Sequence, residues 1–358
     1  MEKRRRLLFI QNYWTPYRND LFNRLSTDFD LSVIYLSGIV DGRKWKREDV
    51  QYRSKELACR KVGPFYFSEV SEEDVTGVDV IILIDNLPNF WSVLKIKRIA
   101  EKERIPIIVW SGESLDRRYT STFYGFGINA LKRTFERKLF WGAKAFWAYS
   151  SKTKAMFETF GIRPESIFII PQAIAIKYNG INTETGENRP VRVLYVGYLR
   201  EEKNLELLID AFNELSNENL ELVILGDGEC REELQKRSTG RIIFKGYHSG
   251  EEKYGEYVNS DILVLPSTRE PWGFVVNEAM YFGLPVLCSS VAGACDALDG
   301  NGYVFDPHNK EVLKSLLLKL AGQPALRTAM GRRSKELYNN YTIEKAAEVV
   351  AGSIRAVL

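Results

Sequence analysis

The chain has 358 residues, long for one hydrophobic core and natural for two domains. Hydrophobic residues at 45% and charged residues at 27% exclude a disordered chain, and no apolar run approaches the ~20 residues of a spanning helix. The net charge of +3 hides an asymmetry: residues 1–170 hold 29 Lys+Arg against 21 Asp+Glu, the remainder 21 against 26. The first half is therefore expected to face something anionic, unless the bias is chance surface composition. Four cysteines without a C-x-x-C pair, and only two histidines, argue against structural zinc and fit the reduced thiols of a cytoplasmic protein.

The opening stretch MEKRRRLLFIQNYW is basic, but its apolar segment, Leu7 to Ile10, is too short for a signal peptide. It reads as a first buried strand. RLLFIQ, DLSVIYLS, DVIILID, IPIIVW, KAFWAYS and SIFIIP follow as buried strands. YRNDLFNRLS, WSVLKIKRIAEKE and NALKRTFERKLFWG read as the helices between them. Val/Ile-rich strands spaced by helices imply a parallel α/β sheet. The polar stretch AIKYNGINTETGENRP is the expected linker. The rhythm then restarts with VRVLYVG, LELVILG, RIIFKG, DILVLP and LPVLCS, and ends in a helix capped by Thr342. The expected architecture is two doubly wound, Rossmann-like domains facing a cleft. They cover 1–175 and 176–340, and 341–358 forms a final helix that returns to the first domain.

Ligands of such sheets lie beyond the carboxyl ends of the strands. Four junctions of the second half stand there. In YVGYLREEKN, Gly197 permits a tight turn, and Arg200 and Lys203 sit before or in a first helical turn, suited to an anion or to open solvent. In LGDGECR, Gly226 and Gly228 begin a dinucleotide-like pattern whose third glycine is replaced by Arg231, so a tight turn is the firmer reading. In KGYHSG, Tyr247 is placed to lie against a base or to pack. In STREPWGFVVNEAMYFG, Glu270 and Glu278 stand eight positions apart. Glu270 follows a strand and Glu278 lies one turn into the next helix, past Trp272, Gly273, Phe274 and Val275. The first N–H groups of that helix are expected to face the crevice.

These residues, with YVNSDILVLPS and NGYVF, resemble the E-x7-E signature of family-4 retaining glycosyltransferases of the GT-B fold. The resemblance covers about residues 190–340; the first half follows it in rhythm and in pieces. It implies that Glu270 bonds hydroxyls of a donor sugar, that backbone amides at Trp272–Val275 hold sugar and phosphate oxygens, and that Glu278 binds ribose hydroxyls. Lys203 would neutralise a leaving diphosphate. The family's arginine after the first glycine is Tyr198 here, and Arg200 is the substitute. The implied donor is a nucleotide-diphosphate sugar, UDP- or GDP-linked. No metal or other cofactor is expected. Asp28-Phe29-Asp30 precedes a strand, at the wrong end of the sheet for a metal-dependent transferase.

The acceptor, a saccharide or a lipid-linked one, would fall to the first half. Glu113 or Asp116 in VWSGESLDRRYT would orient its hydroxyl, or Ser111 or Ser114 would cap the next segment. Tyr13, Trp14, Tyr17 and Arg18 would stack on and charge-pair with substrate, or form a lid. Leu131, Phe135 and Leu139 make a stripe flanked by Lys132, Arg133, Arg137 and Lys138. Residues 128–141 are either a core-facing helix with a wet face or, with the basic loop around Trp45, an anionic-membrane surface. The resulting expectation is a cytoplasmic enzyme, peripheral on the inner membrane face, that does not bind nucleic acid. A nucleotide-sugar epimerase of the same fold and a non-catalytic nucleotide-sugar module are the alternatives; a dinucleotide oxidoreductase lacks its third glycine.

Overall fold

The computed structural model describes residues 4–37, 49–114, 123–180, 189–215 and 219–358. The basic loop around Trp45, Asp116 and half of the polar linker lie outside them. The chain divides into two compact units, Met1–Ala175 with Thr342–Leu358, and Ile176–Tyr341.

The first unit contains β1 (Arg6–Gln11), α1 (Pro16–Asp28), β2 (Asp30–Tyr35), β3 (Arg53–Glu56), β4 (Cys59–Val62), β5 (Phe65–Ser68) and β6 (Val80–Ile84). It continues with α2 (Phe90–Lys102), β7 (Ile107–Ser111), α3 (Phe123–Phe140), β8 (Ala145–Ala148), α4 (Ser151–Glu158) and β9 (Ile167–Ile169). Seven strands form one parallel sheet in the order β3-β2-β1-β6-β7-β8-β9. Alternation sorts the strand side chains between two cores. Leu7, Phe9, Val80 and Ile82 pack with α1 and the last helix, and Leu8, Ile10, Ile81 and Leu83 pack with α2, α3 and α4. The antiparallel hairpin β4–β5 is an addition that no apolar pattern signals, because it is fully exposed or half-buried.

The second unit contains β10 (Val191–Val196), α5 (Leu205–Asn213), β11 (Leu220–Leu225), α6 (Arg231–Arg237), β12 (Ile242–Gly246), α7 (Gly250–Val258), β13 (Ile262–Leu265) and α8 (Phe274–Phe282). Then come β14 (Val286–Ser289), β15 (Gly302–Phe305), α9 (Lys310–Gly322) and α10 (Pro324–Tyr338). Its parallel sheet runs β12-β11-β10-β13-β14-β15, the doubly wound order. Tyr195, Leu222 and Ile224 face α5 and α9. The last helix, α11 (Ile343–Val357), carries Ile343, Ala346, Ala347, Val350 and Ile354 into the first unit's core beside α1. Thr342 caps it by accepting from the Lys345 N–H at 3.3 Å.

Two sequence expectations resolve here. Asp28 and Asp30 pair with Arg24 and Arg53 on the surface. The Leu131/Phe135/Leu139 stripe is core: Phe135 and Leu139 are buried among α2, α4 and the sheet, with Leu131 packed against them.

Candidate active site

In the second unit the strand order reverses between β10 and β13, so the loops after these strands part and leave room beyond their ends. Each loop contributes one partner of an ion pair. Lys203 follows β10, Glu270 follows β13, and Lys203 Nζ donates to Glu270 Oε2 at 2.6 Å. Both side chains are mostly buried, at 18% and 13% exposure. A charge-assisted bond in a poorly hydrated setting is strong while intact, and either partner alone would be costly to keep there. Burial, with Glu270 and Glu202 nearby, pushes the Tyr195 phenol well above its ordinary range. It therefore remains a donor, to the Tyr198 carbonyl at 2.9 Å.

The loop after β10 is fixed from several sides. Asn204, in the left-handed region at φ +57°, donates to the carbonyls of Pro266 and Pro307 at 3.1 and 2.8 Å. That tie to the loop after β13 holds Lys203 opposite Glu270, and nothing in the sequence pattern singled out Asn204. Gly226 has φ +152°, and a Cβ there would lie 1.8 Å from the Gly197 oxygen. Gly228 similarly abuts the Leu199 backbone. These glycines let the loops after β10 and β11 touch backbone to backbone, which explains G-x-G without a dinucleotide.

The loop after β13 turns into α8 at Gly273, whose φ of +108° and contact with Leu265 exclude a side chain. The N-cap of α8 is this glycine, which has no side chain to cap the helix, and no acidic residue occupies its first turn. The Phe274–Val275 turn thus presents the positive end of a helix dipole next to Glu270. Trp272 contributes backbone only. Its ring is buried, with Nε1 donating to Asn277 Oδ1 at 2.7 Å and the ring 5.6 Å from that of Tyr341.

Glu278 is buried and held from α7 by two residues the sequence reading missed: Lys253 and the Tyr257 hydroxyl each bond one of its oxygens. Burial opposes the Lys253 charge, yet Glu278 first, then Tyr254 and Tyr247, outweigh it and raise the ammonium's pKa. The Lys-x-x-x-Tyr spacing of one helical face was the available signal. Burial, reinforced by Glu278, raises the Tyr257 phenol well above its ordinary value. Each carboxylate oxygen still has a lone pair for a hydroxyl. Tyr247, 42% exposed, follows Gly246 at the end of β12. Arg200 Nε lies 3.6 Å from Glu229 and its guanidinium 5.2 Å from the Tyr198 ring.

In the first unit, Ser111 Oγ donates to Asp85 at 2.9 Å and accepts from the Glu113 N–H at 3.1 Å. Lys132 corrects an expectation: it is buried, with Nζ 3.0 Å from Glu136, 3.5 Å from Asp85 and 3.7 Å from Glu113. It cannot flank a membrane-facing stripe. Burial first, with Asp85 adding repulsion, raises the Glu136 carboxyl to about 7 despite Lys132.

Residues 182–337 match the family model described as Glycosyl transferases group 1. That match lies within the second half of the chain and covers less than half of its length. Its curated relatives include the sulfoquinovosyl transferase SQD2 of Arabidopsis thaliana, 32% identical over 45% of this chain and 32% of that protein. Another is the alpha-D-kanosaminyltransferase of Streptomyces kanamyceticus, 30% identical over 48% of this chain and 47% of that protein. The chain spans about half or less of the length of these curated relatives. Solved structures match along almost the whole chain. The lipopolysaccharide outer core galactosyltransferase WaaB gives a TM-score of 0.73 at 18% identity, covering 99% of this chain and all of that one. Anabaena HepE in complex with UDP gives 0.74 at 14%, covering 98% and all. The fold around the matched segment is therefore GT-B.

Proposed function

We propose that this chain is a retaining, metal-independent glycosyltransferase. It moves a hexose-type sugar from a UDP- or GDP-linked donor to a hydroxyl of a saccharide or lipid-linked acceptor, in the building of a surface polysaccharide or glycolipid. The observation that carries the reading is the Lys203–Glu270 pair across the strand-order reversal, beside the glycine N-cap of α8. A diphosphate entering there would draw the Lys203 ammonium and the α8 amides, and would release Glu270 to accept from sugar hydroxyls. Glu278, preset by Lys253 and Tyr257, would take the ribose hydroxyls, and the Tyr247 ring the base. Arg200 would have to leave Glu229 to reach a phosphate.

The bond between the anomeric carbon and the diphosphate breaks, with its electron pair going to the phosphate oxygen. The acceptor hydroxyl bonds the same face of that carbon, and its proton passes to a donor phosphate oxygen. Glu113, half-buried at the end of β7, is the group proposed to orient the acceptor. The exposed Arg98, Arg133, Arg137 and Lys138, with Trp141 at 81% exposure, support a peripheral membrane contact on the cytoplasmic side. Arg98, Arg137, Lys138 and Trp141 border a groove of ≈ 400 Å³ between α2 and α3. Incubation with a panel of UDP- and GDP-sugars, in EDTA, tests the reading by release of the nucleoside diphosphate. Release that survives EDTA is expected. Release that needs added Mn²⁺ or Mg²⁺ contradicts the metal-independent mechanism, and no release from any donor contradicts the activity.

A further inference from the structure

Arg18 belongs to the first unit and has no part in the chemistry above. It stands in the first turn of α1, just past the end of β1, and is only 4% exposed. Its guanidinium lies 4.0 Å from the Trp110 ring centroid, 5.0 Å from Tyr149 and 5.7 Å from Tyr17. Its one side-chain hydrogen bond among the described residues runs from Nη2 to Gln172 Oε1 at 2.9 Å. Gln172 is fully buried and is itself aimed by donating to the Ile170 carbonyl at 2.7 Å. No carboxylate of the described residues forms an ion pair with Arg18.

The nearest strand end explains why. Trp110 and its neighbour Ser111 point to opposite faces of the sheet, so Asp85 and the Lys132 network lie on the α3 face and Arg18 on the α1 face. The box is built closely. A Cβ on Gly112 would meet the Tyr149 ring at 2.6 Å, so the missing side chain is what admits that ring. The result is a permanently charged group with five N–H donors, one of them used, held by rings that supply no counter-charge. The Trp14 and Trp110 indole N–H groups also lack an acceptor. Among the described residues these surroundings hold donors and no ion-paired carboxylate for Arg18, which is complementary to an oxyanion that a guanidinium takes with two parallel bonds.

We propose that Arg18 is an oxyanion-binding residue, the core of a subsite at the carboxyl ends of β1, β7 and β8 that receives a phosphate or carboxylate of the acceptor. The subsite itself follows from the geometry; that its ligand is part of the acceptor rests on the function proposed above. Such an enzyme extends a charged glycan or a phosphate-linked lipid rather than a neutral sugar.

The test uses the full chain at fixed ionic strength, with UDP saturating the second unit. Inorganic phosphate and sodium acetate are the probes, and the melting temperature is the readout. Lys203→Ala silences the donor site instead if UDP does not bind, so failure of the donor reading is seen separately. Phosphate at millimolar concentration is expected to raise the melting temperature of the wild type. Arg18→Lys, which keeps the charge and loses the fork, should need at least tenfold more phosphate for half the effect. A response to acetate as large as that to phosphate supports the same site with a carboxylate ligand. If Arg18→Lys does not fold, Gln172→Met decides: a weakened response supports the subsite and an unchanged one overturns it. No response of the wild type to either probe, or equal responses of wild type and folded Arg18→Lys, also overturns the proposal.

Discussion

Both parallel sheets reverse their strand order, between β1 and β6 in the first unit and between β10 and β13 in the second, yet the chemistry past those strand ends is opposite. The second unit uses short loops, glycine contacts and a helix start, and its two central charges, Lys203 and Glu270, neutralise each other. In the function proposed above, a diphosphate would take Lys203 from Glu270 and leave that carboxylate to hydroxyl donors. The first unit uses bulk. Rings enclose Arg18 on one face, and a buried lysine gathers three carboxylates on the other. One reversal is the site proposed above for a nucleoside diphosphate, a ligand of fixed design. The other carries side chains whose identity sets what it accepts.

The largest expected effect breaks the second unit's pair. Glu270→Ala should cut turnover of a nucleotide sugar at least tenfold with the fold intact, since a charged hydrogen bond to a ligand is worth ~1.5–3 kcal/mol. Circular dichroism and donor hydrolysis check it, and a normal rate in the folded variant removes Glu270 from the site. Next, Gly226→Ala must push the Gly197 backbone aside and should cost about 1–3 kcal/mol of stability, read by urea unfolding. Gly240→Ala, with nothing within 4 Å, is the control and should cost far less.

The first unit's network predicts a pH dependence. Glu136 has its carboxyl raised to about 7, so the folded state binds a proton that the unfolded state has already released. Its contribution is therefore lost as pH rises through 7. Glu136→Gln should gain on the wild type by about 1–2 kcal/mol between pH 5 and pH 8, as one raised pKa allows. Parallel melting curves at the two pH values would argue against that assignment. A smaller effect, about 1 kcal/mol, is expected for Tyr257→Phe, which removes one holder of Glu278 and should weaken UDP or GDP binding up to fivefold. Smallest per residue is the basic face: changing Arg133, Arg137 and Lys138 to Gln should reduce sedimentation with anionic vesicles by ~1 kcal/mol per charge, an effect lost in high salt. Unchanged sedimentation would leave those residues as a solvated surface.

The same contrast explains what was legible in the sequence. Strands such as VIILI and VRVLYV declare themselves because both faces are buried, and loop glycines mark where backbones must touch. The second unit's charges therefore followed from their places after strands. Lys253 and Tyr257 escaped because their meaning depends on α7 packing against α8, a tertiary fact. Lys132 was misjudged for a related reason. On a helical wheel it neighbours an apolar stripe, but it turns inward because Asp85, distant in sequence, arrives at the end of β6 to receive it. Arg18 was visible as a substrate or lid residue, but its enclosure by rings, without an ion pair to any carboxylate of the described residues, appears only when β7 and β8 bring Trp110 and Tyr149 around it.

The central claim is that the Lys203–Glu270 pair marks a nucleoside-diphosphate site. The direct measurement is calorimetric titration of UDP and GDP into the wild type, Lys203→Ala and Arg18→Lys. One nucleotide should bind the wild type at a single site, at least tenfold more weakly to Lys203→Ala, and unchanged to Arg18→Lys. Failure of both nucleotides to bind the wild type, or equal affinity in folded Lys203→Ala, would contradict the claim.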